Sequence, residues 1–235
     1  MGGRITRFSH QIAELRVLHK IVMLMSRKDA KALRKTKNNL ASKGRFKENL
    51  YHIVQCRIIN YLVLMSEIET NRLRLRHFSL DDLDDLFRIY SNPEVMRYVG
   101  KGARTKDETQ SALVSMIKHW KHGFGMWAMI HKQSDKMIGR CGLCFLDNTP
   151  EVELGYALDK PFWNMGLATE ASIASLKYGF EEIGLERIVA IALTENIASQ
   201  RVIQKVGMKY EKNAHYYNSD VVYYALSRAD YYAIN

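Results

Sequence analysis

The sequence predicts an α+β fold, and three observations carry that prediction. From residue 70 onward, alternating and continuous apolar runs are interleaved with helical patterns, in an order that is not a regular repeat. Two pairs of strands are separated only by short polar turns, as in antiparallel hairpins. One strand, helix, strand unit in the second half requires a parallel crossover. The helix of that unit starts on a glycine turn, Asn164-Met165-Gly166-Leu167.

Arg72-Leu73-Arg74-Leu75-Arg76 alternates strictly and reads as a strand with one wet face. Ser79, followed by Asp81 and Asp82, opens a helix that runs to about Tyr90 and stops at Asn92-Pro93. Residues 105–122 form a second helical region. Residues 125–131 and 136–146 are strands joined by Gln133-Ser134-Asp135, and 152–158 is the next strand. The helix after the glycine turn spans 167–183 and places Ile173, Leu176, Phe180 and Ile183 on one face. Then come a strand at 187–193, a helix at 197–206 closed by Gly207, and a final hairpin of 209–216 with 221–226. The order is β-α-α-β-β-β-α-β-α-β-β.

The net charge of +10 resembles a nucleic-acid signal, but it is unevenly spread. Residues 1–64 hold 14 of the 35 Lys and Arg and 3 of the 25 Asp and Glu. The rest is nearly neutral. Residues 1–64 are therefore set apart as a basic, helical N-terminal extension, and 65–235 as the main domain. The extension has two explanations. It is an arm that touches RNA, the ribosome or a membrane surface. Or it is translated upstream sequence outside the natural protein, with Met65-Ser66-Glu67 as an ordinary start.

Three cysteines, Cys56, Cys141 and Cys144, suggest a reducing compartment, hence a cytoplasmic protein without disulfides. Cys141 and Cys144 spell C-x-x-C but lie three apart on a strand, so they face opposite sides and share no metal or disulfide. Both are expected to be buried. His119 and His122 lack an evident third ligand, so no metal is expected. No apolar run approaches the roughly 20 residues that a membrane-spanning helix needs.

The glycine turn is the first chemical signal. A helix start presents unpaired N–H groups in one direction, with partial positive charge of about half a unit. That is a site for a phosphate or pyrophosphate.

Three segments in this order resemble the GNAT superfamily of N-acetyltransferases, and within it the ribosomal-protein N-terminal acetyltransferase branch. They are Glu153-Leu154-Gly155-Tyr156-Ala157-Leu158, Trp163-Asn164-Met165-Gly166-Leu167-Ala168-Thr169-Glu170-Ala171, and the run from Asn196 to Met208. The resemblance covers roughly residues 68–230. It implies a mixed, mostly antiparallel central sheet with a splayed parallel strand pair, flanked by helices. It also implies that the backbone of Asn164, Met165, Gly166, Leu167, Ala168 and Thr169 cradles the pyrophosphate of acetyl-CoA. Asn164 stands where the branch often has Gly, and Asn tolerates left-handed angles. The pantetheine arm would pair with Tyr156, Ala157 and Leu158, and a backbone N–H near Leu154 or Gly155, beside a bulge, would polarise the thioester carbonyl.

The same resemblance implies roles for side chains. Asn196 would bond the pantetheine arm and Ser199 would stand near the sulfur; on the same helix Arg201 and Lys205 are candidates to meet CoA phosphates, with solvated helix charges as the alternative. The Tyr that many members carry seven residues after the motif Asn is Ile203 here. Glu153 is the expected general base, with Glu151 or a water as rival. Tyr216, Tyr217, Tyr223 and Tyr224 are expected in core and rim.

The implied function is an acetyl-CoA-dependent N-acetyltransferase. It would move acetyl directly, in a ternary complex, to a primary amine of a protein N-terminus or a small molecule. The alternative is a non-catalytic acetyl-CoA-binding or RNA-docking module. The acceptor is expected to be set by loops around 98–107 and 213–220, and an acidic pocket there would favour polycations. Monomer and homodimer both remain open.

Overall fold

The structure, a computed structural model, describes residues 67–100 and 102–234. The helices and the basic arm expected in residues 1–64 lie outside the described residues. From Ile68 the chain builds one eight-stranded sheet in the order β1-β2-β3-β4-β5-β6-β8-β7. The strands are β1 Ile68–Glu69, β2 Leu73–Arg76, β3 Met126–His131, β4 Lys136–Phe145, β5 Val152–Leu158, β6 Arg187–Leu193, β7 Lys209–Tyr216 and β8 Ser219–Ser227. Every neighbouring pair is antiparallel except β5 and β6.

Three helices cover one face: α1 Leu83–Tyr90, α2 Pro93–Met96 and α3 Lys106–His119. They pack on Met126, Ala128, Ile130 and Met137 of the sheet. Three more cover the other face: α4 Leu167–Lys177, α5 Ile197–Lys205 and α6 Arg228–Ile234. Their core partners include Trp127, Met129, Cys141, Leu143 and Leu154. The alternation of β3 and β4 explains this sorting, since neighbouring residues serve opposite layers.

Local signals account for most boundaries. α1 is preceded by a tight turn at Leu80–Asp82, where Asp82 accepts from the Ser79 N–H at 2.8 Å. Arg76 grips the same carboxylate at 2.8 and 2.6 Å. Thr105 and Glu108 form a capping box at the start of α3.

Four features differ from expectation. Asn92-Pro93 ends α1 but also starts α2. The Asn92 side chain accepts from the Glu94 N–H at 3.0 Å, and Pro93 sits at the first helical position, where its missing N–H costs nothing. β1 and α6 were not foreseen. β1 is only two residues long, and the aromatic run of α6 continues straight from β8 without a breaker. Ser227 starts α6 by accepting from the Asp230 N–H at 3.1 Å.

The fourth difference concerns α4. Ile173 is 52% exposed, while Leu176 and Phe180 are buried. The helix meets the sheet through small residues as well: Ala171, Ser172, Ala174 and Ser175 are all buried. This lets it lie close on β4, with Cys141 Sγ 3.4 Å from Ser175 Oγ. The end of the helix widens into a π turn, Tyr178–Glu182, which shifts the stripe.

β4 and β5 also approach closely. A Cβ built on Gly139 would stand 2.2 Å from the Ala157 carbonyl oxygen, a backbone atom held by the ladder. Gly139→Ala is therefore expected to destabilise the fold by about 2–3 kcal/mol. Urea unfolding should show a lower midpoint, and an unchanged midpoint would mean the ladder yields there.

Candidate active site

β5 holds the centre of the site. Its pairing with β4 is continuous from Gly139↔Leu158 to Phe145↔Val152. No bulge interrupts it, contrary to expectation; the register shifts lie at Met129/Ile130 and Tyr210/Lys212. With β6 it shares one registered pair, Glu153↔Val189, although both strands are seven residues long. The two parallel strands therefore separate towards Leu158 and leave an open backbone edge.

Period-two geometry says which groups line that edge. The Asp159 N–H bonds Ile138 O at 2.7 Å, and Glu151 O accepts from Leu146 N–H at 2.9 Å. Odd-numbered residues of β5 thus turn their backbone to β4, and Leu154, Tyr156 and Leu158 turn theirs to the open side. This corrects two expectations. The backbones of Gly155 and Ala157 belong to the β4 ladder and do not face the cleft. Of the remaining groups, the Leu158 carbonyl already accepts the Trp163 indole N–H at 2.8 Å.

That indole bond pins the turn into α4. Asn164 has φ 59° and Gly166 φ 76°, so both stand in the left-handed region and bracket Met165. Such turns aim successive N–H groups at one point, ahead of a helix start whose first N–H groups lack intrahelical acceptors. Leu167 buries its side chain, while Ala168 and Thr169 lie half-exposed behind it. Glu170, one turn in, ties this turn to the N-terminal strands. Its carboxylate accepts from the Arg72 N–H and Nε at 2.7 Å each and from Thr70 Oγ1 at 2.7 Å. Arg72 Nη1 also donates to the Met165 carbonyl at 2.7 Å. A role for Glu170 was not foreseen; its position facing the first strand is a long-range fact.

On the α4–α5 face, Tyr156, Ser199 and Asn196 come together. Asn196 Oδ1 accepts from the Ser199 N–H at 3.1 Å and so caps α5. The carbonyl of that amide is used by the helix, and its NH2 is the group left to meet a ligand. The Tyr156 hydroxyl lies 2.8 Å from Ser199 Oγ and donates to Ser199 O at 3.0 Å. Burial keeps this phenol protonated far above its ordinary range. Ile203 is buried in the core. A tyrosine hydroxyl is nevertheless present, delivered from β5. Arg201 is exposed on α5.

On the opposite face a cavity of about 410 Å³ opens over β3 and β4, beside Glu153. Glu153 is buried, 9% exposed. Burial pushes its carboxyl up from 4.5 to about 7, against the Tyr217 hydrogen bond and the Arg140 charge, which pull it down. The Tyr217 hydroxyl donates to Glu153 at 3.1 Å and accepts from the Asp147 N–H at 2.8 Å. Tyr217 reaches this place from a two-residue turn between β7 and β8, where Tyr217 and Asn218 have φ 50° and 57°. A bulky residue in that region is unusual and costs of order 1–3 kcal/mol. The expected loop at 213–220 is thus a tight hairpin that delivers one hydroxyl.

Glu151, the rival carboxylate, is engaged elsewhere: Tyr223 donates to it at 2.6 Å. Cys141 and Cys144 do face opposite sides. Cys141 is buried against α4, whereas Cys144 is only half-buried and lines the cavity, which corrects its expected burial. Burial and the neighbouring Glu153 push the Cys144 thiol up to about 12, so it carries no thiolate at neutral pH. Among the described residues, no group of three or more His, Cys, Asp or Glu is placed to hold a metal ion.

Comparison with known proteins now adds to this geometry. Residues 72–209 match the family model described as an acetyltransferase (GNAT) domain, more than half of the chain. The uncharacterized N-acetyltransferase YnaD of Bacillus subtilis is 33% identical over 144 residues, covering 61% of this chain and 83% of the relative. An acetyltransferase (GNAT family) from Bacillus anthracis superposes with a TM-score of 0.62 at 28% identity, over 69% of this chain and 99% of that one. The RimL ribosomal-protein alpha-N-acetyltransferase, in complex with coenzyme A, shares the fold with a TM-score of 0.60 at 18% identity, over 69% and 98%.

Proposed function

Because the chain belongs to the acetyltransferase (GNAT) domain family and is an acyltransferase, we propose that it transfers acetyl directly from acetyl-CoA to a primary amine. The observation that carries this is the splay of β5 from β6 after the single pair Glu153↔Val189. It leaves a passage with a carboxylate on one face and the Tyr156–Ser199 hydroxyl pair on the other.

The residues present fit the cosubstrate. An extended arm can add to the open edge of β5, using the Tyr156 carbonyl and the Leu158 N–H. The left-handed pair Asn164 and Gly166, with the first N–H groups of α4, suits a pyrophosphate. The Asn196 NH2 would hold the arm, and Arg201 would reach a phosphate. Acetyl-CoA, when bound, supplies an activated acyl group on a thioester.

Each of the chain's groups then has one task. Glu153 takes the proton that the attacking amine must lose. The Tyr156 N–H, on the open edge, donates to the carbonyl oxygen as charge develops there. The Ser199 hydroxyl, held by Tyr156, donates a hydrogen bond to the departing sulfur. Amine, acyl group and base all meet at one opening, which supports a ternary complex over a covalent route. The protonated Cys144 supports the same order.

Measuring free thiol released from acetyl-CoA against a panel of amines tests this. Amine-dependent release is expected. Acetyl-CoA that binds yet is never turned over would leave a non-catalytic binding module instead.

The clamp at the turn makes a separate prediction. Glu170→Ala loosens Arg72 from the Met165 carbonyl, so KM for acetyl-CoA should rise about five- to ten-fold with kcat little changed. Initial-rate kinetics would show it. A fall in kcat alone would place Glu170 in the chemistry instead of the cosubstrate turn.

A further inference from the structure

We infer that the acceptor is a small amine carrying an oxyanion, a carboxylate or phosphate, a few ångströms from its amino group. This rests on the acetyl-transfer function proposed above. The basis is a pair of arginines in the cavity beside Glu153, one of which keeps a buried Nε–H without a hydrogen-bond partner.

The floor of that cavity is a strip of β4 and β5. Cys144 opposes Glu153, Gly142 opposes Gly155, and Arg140 opposes Ala157. Glu153 and Arg140 thus stand at the two ends of one floor, with two glycines between them. The Arg140 side chain reaches back over the gap. Its Nη1 stands 3.7 Å from where a Cβ on Gly155 would be, and 3.3 Å from Met126 Sδ. That leaves roughly one strand repeat, about 6–7 Å, between the guanidinium and the Glu153 position.

Arg140 feels the charge of Glu153 and has an aromatic neighbour in Tyr90, at 5.9 Å to the ring centroid, yet its Nε–H has no hydrogen-bond partner among the described residues. Arg104 lies over the same ring at 4.9 Å from its centroid and lines the same cavity. His119 lines it too, and its Nε2 is likewise buried without a partner. The imidazole is held below its ordinary range by burial and by the neighbouring His122 and Lys121, so it is neutral and adds no charge.

A guanidinium removed from water is costly unless something pairs with it. Arg140 on the sheet floor, with a donor left over, and Arg104 from the loop before α3 fit a planar oxyanion that arrives with the ligand. The same ligand places its amine at the carboxylate end, near Glu153 and the opening to β6. Two cations and one carboxylate disfavour a polycation, which an acidic pocket would have favoured. The volume, about 410 Å³, suits a molecule of amino-acid size. A protein N-terminus carries no obligatory anion at that distance.

The test uses the full chain and thiol release from acetyl-CoA with matched pairs of amines. The pairs are α-amino acids with their primary amides, and phosphoethanolamine with ethanolamine; spermidine and uncharged N-terminal peptides are added. For at least one pair, kcat/KM should favour the anionic member by ~30-fold or more, as for a buried charge-paired contact. Which pair shows it tells carboxylate from phosphate. In Arg104→Gln and in Arg140→Gln that ratio should collapse by about ten-fold or more; if the deeper variant does not fold, Arg104→Gln decides. Equal rates within both pairs, or a preference for spermidine or the neutral peptides, would overturn the anionic acceptor and leave acetyl transfer standing. No release with any probe, while calorimetry still shows acetyl-CoA bound, would remove the transfer function and this inference together.

Discussion

Glu153→Gln is expected to lower kcat by about 10²–10³-fold while acetyl-CoA binding changes little. It should also erase the part of the pH profile that belongs to this carboxyl. The ionised form is the base, and the carboxyl titrates at about 7 because burial disfavours its charge. Wild-type kcat should therefore rise with pH through about 7 relative to the variant, measured with the same amine so that the amine's own titration cancels. Removing the Tyr217 hydroxyl sharpens the test. That bond stabilises the charged form, so Tyr217→Phe should move the limb to higher pH. The groups facing Glu153 are Tyr217, Cys144, Arg140 and Asp147; burial and the neighbouring Glu153 hold the Tyr217 and Cys144 protons well above 7.

The same carboxyl makes a stability prediction of definite sign. Its folded value lies above its unfolded value of 4.5, so its favourable contribution is complete below 4.5. That contribution is lost as pH rises through about 7, a change of roughly 3 kcal/mol in order of magnitude. Glu153→Gln should raise Tm relative to wild type at pH 8 and not at pH 4. A variant that is equally active at every pH, and no more stable at pH 8, would return the base role to water or to Glu151.

The place of Glu153 in the fold was legible in the sequence because three linked motifs put it on a strand before a glycine turn and a helix. Asn164 and Gly166 were legible for a local reason, since their left-handed angles follow from residue type and turn context. Ser199 was singled out by the resemblance, three residues after Asn196, and the cap between them is a contact within one helical turn. The partners of these residues were not legible. Tyr217 reaches Glu153 across 64 positions of sequence, from a hairpin whose twist had to be known first. Tyr156 was assigned a backbone role; its hydroxyl finds Ser199 only because α5 folds back over β5. Arg140 did leave a signal, a charge between Gly139 and Cys141 in the middle of a strand that is apolar beyond its first residue, Lys136. Such a residue is either paired or waiting for a partner.

The fold shows the same division. Strands with strict alternation and helices with good caps were placed well. α2 was hidden because Asn-Pro both ends and begins helices. The buried face of α4 was hidden because it is made of alanines and serines, which carry little apolar signal, while the conspicuous Ile173 lies outside it. Small residues mark close approach, and close approach can be read only when the opposing strand is known.

Ser199→Ala is expected to cost kcat about 10- to 10²-fold, the range of one hydrogen bond to a group that is becoming charged. The hydroxyl cannot act alone in this site. Tyr156 lies 2.8 Å from Ser199 Oγ and stays protonated because it is buried, so it can only donate or share its proton, never leave as an anion at working pH. When Tyr156 donates to Ser199 Oγ, the serine proton is free to point at the departing sulfur. When Tyr156 donates to Ser199 O instead, the serine proton points back at the phenol. The first arrangement is the productive one, and developing charge on sulfur selects it. Tyr156→Phe should therefore lower kcat by less than Ser199→Ala, about five- to ten-fold, since the serine keeps its donor but loses its orientation. The double variant should be no slower than Ser199→Ala, because the phenol acts only through the serine. Losses that simply multiply would mean that Tyr156 reaches the reacting atoms by itself. Equal losses in KM and Tm with kcat intact would mean that the pair only holds α5 against β5.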